Sequence, residues 1–225
     1  MNIRGFIGSN LVLLMGIFAL QAAESKTFVA RPGSKVKIDG TASMIHTHWT
    51  VQSPLIAGTL EVGPAFPAEP GQTVAPGKLE AKAECSIPVR SLRSVEEDGK
   101  FYSDPMDDVM YGKLKAQDNP KIVYRLTELT LKETAKDKNS PYVFDSKGEV
   151  AVAGVTNPVA FPVYVLPLAD NKIKISGDTT LKMTDFKIQP PAPALALGAL
   201  KTGDEVKITF EWILAPKTPA APAAK

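Results

Sequence analysis

Strict alternation near the C-terminus constrains this chain most: Val206, Ile208, Phe210, Trp212 and Leu214 share one parity, and Lys207, Thr209 and Glu211 interleave with them. Successive side chains on a strand point to opposite faces, so the pattern demands a β-strand with one dry side and one wet side. Val159, Phe161, Val163 and Val165 repeat it, although Tyr164 and Leu166 make the opposite parity apolar too. Ile173, Ile175, Leu181 and Met183 continue it, with Gly177 read as a bulge or sharp bend. Ile122, Tyr124 and Leu126 share one parity, whereas Leu129 and Leu131 share the other. A bulge near Thr127 or Glu128 is therefore expected, because a one-residue slip would otherwise turn the apolar side to water.

Further strands are expected over 27–38, with a break at Pro32-Gly33, and over 43–52, 55–62, 78–88 and 142–153. About nine strands with polar turns predict a barrel or a sandwich. One helix interrupts them at 105–115, where Asp104 is placed to cap the N-terminus and Pro105 fits the first helical position. Met106, Val109, Met110 and Leu114 fall at helical spacing, and this stripe is expected to plug or line one end of the barrel. Asp104, Asp107 and Asp108 have a simple role there, since carboxylates in a first turn favour the helix dipole. Residues 61–77 and the Ala/Pro/Lys tail at 216–225 read as loop-like or disordered. A third loop is apolar as well as Pro-rich, with Pro190, Pro191, Pro193, Leu195, Leu197 and Leu200, so the barrel mouth or a partner must cover it.

At 225 residues the chain suits one all-β domain. Residues 1–22 read as a secretory signal peptide: Arg4 supplies the positive start, 6–20 is mostly apolar, and Ala22 and Ala23 are small. The rival reading, a membrane anchor, suffers from the interruption at Gly8, Ser9 and Asn10 and from a stretch shorter than the roughly 20 residues a spanning helix needs. A periplasmic or secreted product is expected. Without Arg4 the balance is 25 basic against 24 acidic side chains, which argues against a nucleic-acid partner. Cys85 is the single cysteine, so no internal disulfide forms, and burial is its simplest role.

The common catalytic motifs are missing: the chain holds no HExxH, GxSxG or phosphate-cradling glycine loop. The two histidines, His46 and His48, stand two apart and share a strand face, a spacing that admits a metal ion, but no third ligand is evident beside them. No metal and no cofactor are expected, and Trp49 reads as a core or mouth residue.

The residues gathered here resemble the YceI-like family of lipid- and polyisoprenoid-binding proteins. The resemblance is carried by MDDVMYGKLKAQDNPKIVYRLTEL from Met106, VAGVTNPVAFPVYV from Val152, LKMTDFKIQPP from Leu181, LKTGDEVKITFEWIL from Leu200, and VKIDGTASMIHTHW from Val36. It implies an extended antiparallel, lipocalin-like β-barrel of about eight strands over 27–215, its apolar interior holding an isoprenoid or other long-chain lipid. Departures from the family pattern occur at Ala42, Met44 and the doubled His46 and His48, and at Lys182, Thr184 and Lys187, where the charge pattern at the mouth changes.

A non-enzymatic lipid container is thus expected, with transient membrane contact for loading. Val159, Phe161, Val163, Ile208, Phe210 and Trp212 are expected to line the cavity, with Met106 and Met110 on the helix and His46, His48 and Trp49 at the mouth. The alternatives are an envelope interaction protein that uses the apolar 190–200 loop, and a hydrolase or metal-dependent enzyme built on the histidine pair.

Overall fold

The computed structural model describes residues 25–43, 48–191 and 201–217. Its strands are β1 (Lys26–Ala30), β2 (Lys35–Ala42), β3 (His48–Ser53), β4 (Ala57–Val62), β5 (Gly77–Leu79), β6 (Ala81–Pro88), β7 (Arg93–Val95), β8 (Lys121–Glu133), β9 (Tyr142–Val152), β10 (Val155–Pro167), β11 (Ile173–Lys182) and β12 (Thr202–Pro216), with one α-helix, α1 (Asp104–Lys113), between β7 and β8.

These segments make a closed antiparallel barrel of eight walls, each beside the next along the chain. β1 and β2 form one wall, lying end to end along β12: Ala30 pairs with Leu214, and Lys35 with Glu211. The break between them falls at Pro32-Gly33, where Gly33 has φ +98 and Ser34 Oγ both donates to the Arg31 carbonyl and accepts from the Ile213 amide. β3 with β4, and β5 with β6 and β7, make the next two walls in the same manner. Closure comes from β1 pairing with both β4 and β12. Followed from Pro167 through β11 and β12 to Ala30 of β1, and on from Gly58, the next position in the β1–β4 register, through β6, β8 and β9, the circuit returns to β10 at Asn157, ten residues away. Stagger of this kind tilts the strands and opens the interior.

The expected bulge on β8 is present. Leu126 pairs with Gly148 and Glu128 with Lys147, leaving Thr127 as the extra residue, its hydroxyl donating to the Lys147 carbonyl. Gly177 corrects the expectation made for it, because β11 runs through it in regular register, with Val163 on one side and Phe210 on the other. A Cβ at Gly177 would stand 3.0 Å from the Phe210 ring and 2.9 Å from the Pro162 carbonyl oxygen. Its missing side chain makes room for an aromatic ring.

One end of the barrel is stoppered by the segment read as loop-like at 61–77. Val62 is buried in β4, and past it Phe66 stacks on Phe144 with centroids 5.9 Å apart, Ala68 is buried, and the Tyr142 hydroxyl donates to the Gln72 carbonyl. The turn residues hid a plug because its few apolar side chains find cover inside the protein. Phe28, Leu60, Leu131, Ile173 and Leu214 are almost wholly buried beneath it.

The helix departs further from expectation, since it seals a sheet edge. Where β7 diverges from β8, Asp107 Oδ1 accepts the Ser94 amide at 2.7 Å, and the Tyr111 hydroxyl donates to the Leu92 carbonyl at 2.8 Å. Buried Asp107 also lies 2.5 Å from Arg93 Nε, and Asp104 pairs with the same guanidinium at 2.9 Å. The N-cap is Ser103, and Asp104 already belongs to the first turn. Edge groups left open would template pairing with another chain, and these side chains satisfy them instead. Met110 and Leu114 pack against the core, whereas Met106 and Val109 face solvent.

Candidate functional site

Inside the barrel lies a cavity of about 150 Å³, with walls of carbon. Inward parity on each strand selects the lining: Val159, Phe161, Val163 and Val165 from β10, Ile208, Phe210 and Trp212 from β12, and Ile122, Tyr124, Leu126 and Leu129 from β8 across the bulge. This also resolves β10, the strand apolar on both sides: its odd-numbered residues face the cavity and Tyr164 faces out. Phe66 reaches the cavity from the plug.

Burial is graded along the walls. On β10, Val165 and Val163 are buried whereas Phe161 and Val159 are half-exposed; on β12, Leu214 and Trp212 are buried whereas Phe210 and Ile208 are half-exposed. β8 behaves alike, from buried Leu131 and Leu129 to half-exposed Leu126, Tyr124 and Ile122. The side chains farthest from the plug are thus the most accessible, which makes a vessel with one open end. A second apolar cluster of Val150, Ala153, Phe186 and Ile188 covers part of that end, packing on Leu114, Val159 and Leu181.

An aromatic band crosses the cavity. Phe161 lies between Tyr124, at 5.7 Å, and Phe210, at 6.0 Å with its ring edge-on. Glycines back the two outer rings, for a Cβ at Gly148 would stand 2.6 Å from the Tyr124 ring just as one at Gly177 would meet Phe210.

Polar atoms are sparse. Ser146 Oγ donates to the Phe161 carbonyl at 2.7 Å, and Thr179 adds a second hydroxyl. The Trp212 Nε1 is buried with no hydrogen-bond partner, and the buried Tyr124 hydroxyl lies beside the Ser146 hydroxyl. Burial pushes the Tyr124 phenol up to about 12, against the opposing influence of nearby Ser146, so it keeps its proton at neutral pH. The Cys85 thiol is also pushed up to about 12, chiefly by burial, and remains a neutral, weakly nucleophilic part of the wall. Among the described residues, no Lys, Arg, His, Asp or Glu lines the cavity.

The remaining expected site residues lie elsewhere. Met106 is exposed, and Met110 packs at the core margin; neither lines the cavity, because the helix is turned to the β7 edge. His48 is exposed on β3 opposite Thr41, and His46 lies outside the described residues. Trp49 lies over Gly40, with its Nε1 donating to the Thr41 carbonyl at 3.2 Å, and it packs on the margin of the core. Among the described residues no three His, Cys, Asp or Glu side chains gather as a metal site. Pro193, Leu195, Leu197 and Leu200 of the apolar loop lie outside the described residues, as do the expected signal peptide and the last eight residues of the tail.

Lining residues that the sequence reading did not assign to the cavity include Ile122, Tyr124, Leu126 and Leu129 of β8, and Cys85, Ser146, Thr179 and Phe66. Inward parity on β9 and β11 offered a signal for Ser146 and Thr179, but a polar residue in an apolar wall interrupts the very alternation used to find it.

The model of the YceI-like domain matches residues 24–214. The chain belongs to the YceI-like family. Among solved structures this YceI-like chain resembles BcnA of Burkholderia cenocepacia, at 16% identity and TM-score 0.54, covering 79% of this chain and 95% of that one. It also resembles a polyisoprenoid binding domain from Saccharophagus degradans implicated in plant cell wall breakdown, at 11% identity and TM-score 0.59, covering 86% of this chain and 100% of that one. Both likenesses are of fold. A search of curated proteins returned no match.

Proposed function

We propose that this YceI-like protein is a non-enzymatic carrier or store for a long-chain lipid, most simply a polyisoprenoid, held in the barrel after export to the periplasm or beyond. The observation that carries the reading is the carbon-walled, one-ended cavity. Four wall residues on β10, Val159 to Val165, span six residue steps, about 20 Å of strand. A slot of that length suits an extended tail better than a compact molecule.

Burial supplies the driving force without catalysis. Each methylene taken from water is worth about 0.8 kcal/mol, so about a dozen give on the order of 10 kcal/mol before the costs of association. An apolar cavity near 150 Å³ stays dry and accepts one benzene-sized molecule. A longer tail therefore enters by displacing the Tyr124, Phe161 and Phe210 rings, whose half-exposed positions toward the open end leave them room to turn. Family membership and the fold shared with a polyisoprenoid binding domain support the same reading.

The test is organic extraction of the purified native protein followed by mass spectrometry, beside Phe161→Asp and Phe210→Asp. A stoichiometric long-chain lipid in the native protein, lost from both folded variants, is the expected result. An empty native barrel, or folded variants that keep their lipid, would refute it.

A further inference from the structure

We infer, given the interior as the lipid site, that lipid passes sideways through the barrel wall, by a slit between β10 and β11 that Phe186 stoppers and that the turn carrying Phe186 opens and closes.

The wall is unzipped there. Pairing between the two strands runs from Pro167 with Ile173 to Val163 with Gly177 and stops. Beyond that point β10 extends back to Val155 paired with β9, and β11 runs on to Lys182 paired with β12, so the edges that face each other carry no ladder. Two prolines explain the parting. The Pro162 carbonyl oxygen stands 2.9 Å from where a Cβ on Gly177 would be, which turns that residue's edge toward β11. A strand presents the same edge at alternate residues, so Pro158 is turned the same way, and neither proline has an N–H to give. Proline within a sheet is confined to such edges.

The slit communicates with the lipid site. Over it lies a pocket of about 300 Å³ lined by Asn157, Pro158, Val159, Leu181, Asp185 and Phe186. Val159 and Leu181, one on each lip, also line the interior cavity, so moving Phe186 aside joins the two spaces.

The stopper is lightly held. Met183–Phe186 form a 3₁₀ turn directly after β11, and Phe186, only 4% exposed, clusters with Ile188, Val150 and Ala153. Its polar ties are exposed: Asp204 accepts from the Thr184 amide at 2.9 Å and from the Thr184 hydroxyl at 2.6 Å, and Asn157 Nδ2 donates to the Asp185 carbonyl at 2.8 Å. A segment with few buried contacts and solvent-exposed hydrogen bonds opens before the ladders around it do. A tail admitted here lies down beside Phe161 and Thr179, at the aromatic band, and need not thread the vessel from its rim.

Stopped-flow fluorescence of diphenylhexatriene, a neutral rod, follows entry into delipidated protein and release into excess phosphatidylcholine vesicles. Thr184→Val and Asp204→Ala should each speed entry and release together, by about fivefold to tenfold, and leave Kd within about threefold, since neither residue lines the cavity. Blockade tests the route without loosening the turn. Biotin-maleimide attached at Ala160→Cys, exposed on the β10 lip, and capped with streptavidin should slow entry severalfold, whereas the same cap at Lys121→Cys, exposed on the open rim, should not. Unchanged rates in both turn variants, or a cap at Lys121→Cys that slows entry as much as the cap at Ala160→Cys, would overturn the slit and leave the container intact, filled from its end. Failure of diphenylhexatriene to bind wild type would overturn the container reading and the slit with it.

Discussion

Gly148 and Gly177 show how absent side chains shape this interior. A Cβ at Gly148 would come within 2.4 Å of the Arg125 carbonyl oxygen and 2.6 Å of the Tyr124 ring, so neither backbone nor aromatic band tolerates it. Gly148→Ala should therefore lower stability by about 1–3 kcal/mol. Gly112, in α1, has open space where its Cβ would be, and Gly112→Ala should raise stability by about 0.5–1 kcal/mol through helix propensity. Urea midpoints check the pair, and similar shifts in both would contradict the packing argument. Trp49 shows the same relation in the β2–β3 hairpin, where its indole occupies the space a side chain at Gly40 would claim. Sequence marks a glycine in a strand as unusual; only the fold tells whether it bends the chain or admits a ring.

Among the elements, β8 is where local pattern and global form agree best. The phase change between Leu126 and Leu129 forced a bulge, and Thr127 supplies it. Beside it, Glu128 bridges Lys147 of β9 at 2.7 Å and Lys78 of β5 at 3.0 Å, and these lysines, Lys147 foremost, hold its carboxyl down at about 2. A carboxyl pKa lower in the folded than in the unfolded state stabilises above the unfolded value of 4.5 and loses that contribution as pH falls toward about 2. Glu128→Gln should thus lower the urea midpoint at pH 7, with the difference from wild type shrinking between about pH 4.5 and pH 2 and weakening in high salt. A difference that stays constant from pH 7 to pH 2 would contradict the bridge. The helix was legible as an element but not in its role: Asp107 reads as a dipole partner until β7 is seen to need its edge covered. Likewise Phe66, surrounded by Pro, Gly and Ala, gave no periodicity from which a plug could be read.

For the whole molecule, alternation disclosed the strands and left a barrel or a sandwich open, and the resemblance to the YceI-like family pointed to the barrel. Val159, Phe161, Val163, Ile208, Phe210 and Trp212 all stand around the cavity because one parity on a barrel strand can point only inward. Direction along the axis was not legible, since it depends on the plug at one end and the graded burial of each strand. That direction makes the interior a vessel open to a tail rather than a sealed core. The chain contains two tryptophans, and the fold separates them: Trp212 lines the cavity, whereas Trp49 packs at the margin of the core. A Trp49→Phe protein therefore reports from the cavity alone. Titrating it with a long-chain lipid brominated along its tail should quench Trp212 fluorescence and saturate at one lipid per protein. Quenching that fails to saturate, or is absent while the protein remains folded, would contradict a lipid-holding interior.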